Sequence, residues 1–349
     1  MWRYREFLPL PEGVKRISLH EGFTPLIKAE SRNNLYVKFE GSNPTGSFKD
    51  RGVSLTISIA KSLGVNGVLA ASTGNTASST ATYAARAGIK CILILPSGGV
   101  AKGKLFQSIL HGASIIEIEG SFDKAIETVL SYIGYSRNLY PLNSFNPWRL
   151  EGQKTIAYEI VETLGYIPSY VIVPVGNAGN ISAIWKGFKE LYDHGLICDL
   201  PRMIGVQAKD AAPIANAWIK GLDKPLFVSN PKTIASAIRI GKPINWVKAW
   251  KAVKESNGTF ITVDDNEILN AQIELARLSG IPVEPAGASS YAGYLKLLDQ
   301  NVIDEKDTVV LIATGHALKD PNVTVNVQFY FKTSNIHETL KILDNMVKR

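Results

Sequence analysis

Cysteine is scarce: the 349 residues include two, Cys91 and Cys198. Two thiols close one bridge at most, so a disulfide scaffold is excluded, and no Cys/His grouping has the spacing of a metal site. Long apolar runs are missing as well. The longest, such as Cys91-Ile92-Leu93-Ile94-Leu95, fall far short of the roughly 18 residues that cross a bilayer, so no membrane segment is expected. From Met1 to Arg16 the chain mixes Arg3, Arg5, Glu6 and Glu12 with prolines, where a secretory leader would have an apolar core. A cytoplasmic location is the expectation. Blocks of like charge are absent too, although 38 Lys+Arg against 31 Asp+Glu leave a net charge of +7. A nucleic-acid footprint gathers its basic residues on one face, whereas dispersed charge reads as a solvated surface. No nucleic-acid partner is expected, and the mild positive field suits an anionic small molecule.

What is present is the composition of a globular protein, with 45% hydrophobic and 20% charged residues. At about 150 residues per domain, this length corresponds to about two domains. From about residue 66 the chain repeats a short apolar run, a small-residue turn and a helical stretch, the signature of an α/β protein with largely parallel sheets. Strands are predicted at 67–71, 90–95, 114–118, 170–175, 203–207 and 308–313, and helices at 75–87, 101–110, 122–133 and 178–192. The stretch 140–149, rich in Pro, Asn and aromatics, breaks this rhythm and reads as a domain crossing. Residues 218–230 read as a loop. Near the end, Ile336, Leu340, Leu343 and Met346 form a helical stripe over 334–348 that is expected to pack on the body.

Four segments carry candidate chemistry. Thr45-Gly46-Ser47-Phe48-Lys49-Asp50-Arg51-Gly52 is a punctuated turn opening a helix. A lysine there, beside the positive helix end and shielded from water, favours its neutral amine, the form that makes a Schiff base. Taken alone, the triplet Lys49-Asp50-Arg51 is equally an ordinary surface helix start. Ser72-Thr73-Gly74-Asn75-Thr76 follows an apolar strand and gathers hydroxyls, an amide and free backbone N–H groups. A simple helix cap explains part of it. Gly176-Asn177-Ala178-Gly179-Asn180 is another strand end, where two glycines let backbone amides approach a phosphate without a Cβ in the way. It matches neither the G-x-G-x-x-G fingerprint nor a Walker loop, which argues against a nucleotide. The last strand ends in Thr314-Gly315-His316, on the rim shared by parallel strand ends. A lone histidine on a turn is more often structural than catalytic, so His316 is left unassigned.

In combination these motifs resemble the fold-type II pyridoxal-phosphate enzymes over about residues 22–321. Two further segments, Glu151-Gly152-Gln153-Lys154-Thr155 and Thr314-Gly315-His316-Ala317-Leu318-Lys319-Asp320-Pro321, strengthen the likeness. The resemblance implies two open, mainly parallel sheets flanked by helices. A small α/β domain of residues 45–150 would be inserted in a large one of residues 1–44 and 151–349, with the active site in the cleft between them. Pyridoxal 5'-phosphate would be bound covalently by Lys49, the catalytic residue. Asn75 would bond the cofactor's phenolic oxygen, Gly176, Asn177, Ala178, Gly179 and Asn180 its phosphate, and Thr314 its ring nitrogen. Ser72, Thr73 and Thr76 would hold a substrate's α-carboxylate, and Asn143, Ser144 and Arg149 a substrate's phosphate. Arg149 suits that role because its planar fork makes paired hydrogen bonds to phosphate oxygens.

The reaction implied converts O-phospho-L-homoserine and water to L-threonine and phosphate, by γ-elimination and β-addition, in a homodimeric enzyme. The rivals of the same fold are threonine or serine dehydratases and synthases that make cysteine or cysteate from O-phosphoserine. A non-catalytic binder is the alternative from outside enzymology, and an intact lysine with both loops argues against it. The chain departs from the family at Ala317, where glycine is common. It also begins without the regulatory N-terminal extension of some relatives, which removes the expectation of metabolite control.

Overall fold

The apolar runs form parallel strands in the computed structural model, which describes residues 1–29, 32, 34–97, 102–120, 122–321 and 335–347. Along the chain the strands are β1 (Leu26–Lys28), β2 (Leu35–Phe39), β3 (Gly67–Ala71), β4 (Lys90–Pro96), β5 (Ser114–Ile118), β6 (Leu139–Pro141), β7 (Tyr170–Pro174), β8 (Arg202–Ala208), β9 (Thr259–Val263) and β10 (Val309–Ala313). They make two sheets. One has the order β1-β2-β10-β7-β8-β9 and the other β5-β4-β3-β6. Every pairing is parallel except β1 with β2. Strands β3, β7 and β10 are buried at every residue, as expected when helices cover both faces of a parallel sheet.

The helices are α1 (Lys49–Ser62), α2 (Asn75–Ala87), α3 (Lys102–Leu110), α4 (Phe122–Tyr135), α5 (Pro147–Gln153), α6 (Thr155–Leu164), α7 (Gly179–Asp193), α8 (Pro213–Ile219), α9 (Trp246–Glu255), α10 (Asp265–Ser279), α11 (Pro285–Asp299) and α12 (Ile336–Val347). The predicted segments recur within one or two residues of these bounds; ends placed at 101, 334 and 348 lie outside the described residues. Two readings are corrected. The stretch 140–149 is not simply irregular, because Leu139–Pro141 pairs with β3 as the edge of the smaller sheet. The stripe on α12 does not pack on the body: Ile336, Leu340, Leu343 and Met346 are all exposed, at 79%, 57%, 53% and 48%. Helical period marks an apolar face without saying what covers it.

Helix α1 places the site. It is buried from Asp50 to Ala60, and polar residues survive there because each finds a partner. Thr56 and Ser58 donate to the carbonyls four residues earlier, and the Ser54 hydroxyl shares its one proton between the Ile17 carbonyl at 2.7 Å and Glu21 at 2.6 Å. Arg51 is fully buried, forked onto Glu40 (2.7 and 2.7 Å) and onto Glu159 (2.6 and 2.7 Å). Lys38 adds a second cation to Glu159 at 2.8 Å, and together these cations hold the Glu159 carboxyl well below the usual range against its burial. Breaking such a buried pair strands a charge, at about 3–5 kcal/mol. The cluster therefore ties the first turn of α1 to β2 and α6. On its other side α1 crosses α5 at glycines. A Cβ on Gly52 would stand 2.5 Å from the Arg149 carbonyl, and one on Gly152 would stand 2.1 Å from the Arg51 carbonyl. That close crossing brings Arg149 up to Lys49.

Candidate active site

Lys49 opens α1 without a side-chain cap, half-buried, with its ammonium 4.1 Å from the centre of the Phe48 ring. Two pairings set its loop. Phe48 N–H donates to the Thr314 carbonyl at 3.0 Å and His316 N–H to the Gly46 carbonyl at 2.9 Å, so the lysine turn runs antiparallel to the turn after β10. Asp50, fully buried, accepts from the Thr45 N–H (2.7 Å), the Thr45 hydroxyl (2.6 Å) and Ser79 (2.6 Å). Burial pushes its carboxyl up to about 6 despite these donors. Burial lowers the Lys49 amine from 10.5 to about 7; the Arg149 charge adds to the shift and Glu284 opposes it. A cation with a lowered pKa is neutral above that value. Capture of pyridoxal phosphate by the apoenzyme is therefore expected to accelerate as pH rises through about 7 and to level off above it. Stopped-flow absorbance against pH checks this; a rate still climbing toward 10.5 would show an ordinary lysine.

The loops after β3, β6, β7 and β10 all leave the carboxyl ends of parallel strands. Asn75 and Thr314, both buried, meet at one acceptor that the motifs did not point to, Glu284. The Asn75 amide donates to its two oxygens at 3.1 and 2.9 Å, and the Thr314 hydroxyl donates at 3.1 Å. Thr76 accepts from Arg149 at 3.4 Å, while Ser72 and Thr73 stand half-buried at the open N-terminus of α2. Asn143 pairs its amide with the backbone of Ala71, accepting at 3.0 Å and donating at 2.9 Å. Among the described residues one amide hydrogen has no acceptor, so Asn143 pins its loop and still has a donor. Asn245, also missed in the sequence, bridges two loops: its amide donates to the Ser144 carbonyl (3.0 Å) and its N–H to the Asn177 carbonyl (3.2 Å).

Arg149 is 3% exposed and has no carboxylate partner among the described residues. Its guanidinium donates to the Leu142 carbonyl at 3.1 Å and to Thr76, Nε finds no partner, and burial lowers its pKa to about 10. It remains a cation at neutral pH. In the loop after β7, Ala178 has a left-handed φ of 64°, a conformation that costs an L side chain about 1–2 kcal/mol. Such a residue among right-handed ones shapes a concave set of N–H groups that binds anions. Among the described residues no acceptor takes the N–H groups of 176–180, and both polar atoms of the buried Asn180 side chain are unpartnered. Gly176 sits close to a neighbouring loop: a Cβ there would lie 3.0 Å from the Ile238 Cα, a tight contact that the loop would have to relax to accept.

His316 caps the following turn, Nδ1 accepting from Leu318 N–H at 3.1 Å. Ala317 lies in that right-handed 3₁₀ turn, where glycine's freedom is not needed. The segment 151–155 joins α5 to α6: Glu151 pairs with Lys154 and Lys186, and Thr155 accepts from Arg51 at 3.1 Å.

An amine that loses its proton near neutrality, an anion cradle and orphaned buried donors fit a phosphorylated aldehyde cofactor. The pattern of the family described as "Pyridoxal-phosphate dependent enzyme" matches residues 17–315, and the chain belongs to that family. It is 51% identical to the threonine synthase of Methanocaldococcus jannaschii, over 93% of this chain and 82% of that protein. It is 47% identical to the threonine synthase of Mycobacterium tuberculosis, over 92% and 89%. Within the family, then, it groups with the threonine synthases, which are pyridoxal-phosphate-dependent lyases. Among solved structures the maize serine racemase superposes with a TM-score of 0.75 over 95% of each chain at 22% identity, a likeness of fold.

Proposed function

We propose that this cleft converts O-phospho-L-homoserine and water to L-threonine and phosphate, with Lys49 as the catalytic amine. The observation that carries the substrate's phosphate is Arg149, a buried cation without a carboxylate partner among the described residues. Lys49 would hold the cofactor, with Asn75, Thr314 and the N–H groups of residues 176–180 around it. Bound pyridoxal phosphate supplies the electron sink that lets protons leave Cα and then Cβ. Once displaced by the substrate's amine, the Lys49 Nζ takes and returns the Cα proton, for which a pKa near the working pH is suited. Ser72, Thr73 and Thr76 hold the α-carboxylate, and Ser144 and Arg149, with the free donor of Asn143, hold the γ-phosphate until it leaves.

Domain division follows the sheets: residues 45–150 as the small unit, 1–44 and 151–349 as the large one, closing on substrate to exclude water. The family resemblance supports a cytoplasmic homodimer as the working form. Among the described residues no helix is long and apolar enough to cross a membrane. The test is to assay the holoenzyme with O-phospho-L-homoserine for both products. Phosphate and threonine are expected in equal amounts; release of a keto acid in place of threonine would move the chain to the dehydratase reading.

A further inference from the structure

Lys319 belongs to the segment Thr314–Pro321 yet has no part in the chemistry assigned above. It ends the short 3₁₀ turn Ala317–Lys319 after β10, and that turn is fixed on the side of the larger sheet, where Asp320 accepts from Ser236 at 2.5 Å. The side chain of Lys319 leaves that sheet. Its stem crosses Gly46, which is left-handed at a φ of 85° and where a Cβ would stand 3.1 Å from the Lys319 Cδ. Its amine then donates to the Ser78 hydroxyl on α2 at 3.0 Å and to the Gln107 side-chain carbonyl on α3. Burial lowers the pKa of this amine while Glu284 and Asp50 oppose the shift, and charged or neutral it keeps at least two N–H groups for these two acceptors.

Resting on the assignment of Ser72, Thr73 and Thr76 to the substrate's α-carboxylate, we propose that Lys319 is a positioning residue, a strap from the turn after β10 that passes over the Lys49 loop and seats that carboxylate loop through α2 and α3. Ser78 is the relay. It is the fourth residue of α2, and its hydroxyl accepts from Lys319 while donating back to the Gly74 carbonyl at 3.3 Å, in the middle of the carboxylate loop. Helix α3 follows α2 because Leu105 is buried in the same core as Ala77, Ala81 and Tyr83, and Thr82 meets His111 at 3.3 Å. The grip on Gln107 therefore steadies both helices. Gly46 gives the stem its passage, so the strap and the lysine loop fit only together. Lys319 acts on binding through the loop, so its loss weakens the hold on an amino acid and spares the steps at Cα, Cβ and Cγ.

Two measurements on the holoenzyme test this: steady-state kinetics with O-phospho-L-homoserine, and titration with L-threonine followed by the absorbance of the bound cofactor, which reads amino-acid binding without turnover. Lys319→Met keeps a stem over Gly46 and removes the donors. It should raise KM and the L-threonine Kd about tenfold, as the loss of two hydrogen bonds predicts, with kcat within about twofold of wild type. Gln107→Leu keeps the amine and removes one grip, so it should raise both constants severalfold and add little in the Lys319→Met background. A purely structural lysine would lower the thermal midpoint and leave both constants in place, which overturns the proposal. If Gln107→Leu binds L-threonine as the wild type does, the amine acts by charge alone and the strap is overturned. Ser72→Ala checks the reading underneath: unchanged L-threonine binding there means that the carboxylate sits elsewhere, and the proposal falls with it. Should Lys319→Met not fold, Gln107→Leu decides by the same criterion.

Discussion

Replacing Lys49 with alanine is expected to cut threonine formation by about 10²–10⁴-fold from the lost proton transfer alone, with more from the lost covalent attachment. The fold should survive. Among the described residues the ammonium contacts the Phe48 ring and makes no salt bridge, so its removal strands no partner. The loop that presents it is held by other groups, namely Asp50 with Thr45 and Ser79, and the pairing of Phe48 and His316 with Thr314 and Gly46. Initial rates of phosphate release measure the first effect. Borohydride reduction followed by intact-mass measurement reads the second, since the wild type should gain the cofactor's mass and Lys49→Ala should not. A variant that turned over at the wild-type rate would move the catalytic amine elsewhere. Lys319 would be the next candidate, since burial lowers its pKa and its amine donates to Ser78 at 3.0 Å.

Repeating local chemistry made most of the fold legible. Fully apolar runs such as Val309–Ala313 read as buried parallel strands, and alanine-rich stretches behind small-residue turns read as helices. The motif loops were legible as strand ends for the same reason, because glycines and hydroxyls gathered there have few other uses in combination. What stayed hidden depends on distant partners. Glu284 looks like the residue before any helix opening with proline; its meaning comes from Asn75, 209 positions away, and from Thr314. Asn245 is a bridge only because two loops meet beside it. Arg51, in the lysine motif, could be read as part of that motif but not as the hub of a cluster drawing on Thr24, Glu40, Thr155 and Glu159. A short strand at Leu139–Pro141 was missed because three residues carry no period.

Arg149→Met is expected to separate activity from stability. Among the described residues the guanidinium has no anionic partner, and an unpaired buried charge costs several kcal/mol. Its hydrogen bond to the Leu142 carbonyl returns about 1.5–3 kcal/mol, as for a charged donor, and the longer one to Thr76 less. Substituting an apolar side chain of similar reach should therefore leave the thermal midpoint unchanged or raise it. Substrate binding should suffer in the opposite sense. Truncating one partner of a buried charge pair costs about 2–5 kcal/mol, so kcat/KM for O-phospho-L-homoserine should fall by about 30-fold to a few thousand-fold. Two further readouts tie the loss to the anion. Inorganic phosphate at about 100 times its Kd should stabilise the wild-type apoenzyme by about 2.7 kcal/mol per site, and the Arg149 share of that gain should vanish in the variant. Removing a cation beside Lys49 should also move the pH at which the apoenzyme captures cofactor upward from about 7, because Arg149 is one of the two causes holding that amine down. A variant that melts lower than wild type yet keeps its kcat/KM would mean that Arg149 is a strut of α5 and that the substrate's phosphate binds elsewhere in the cleft.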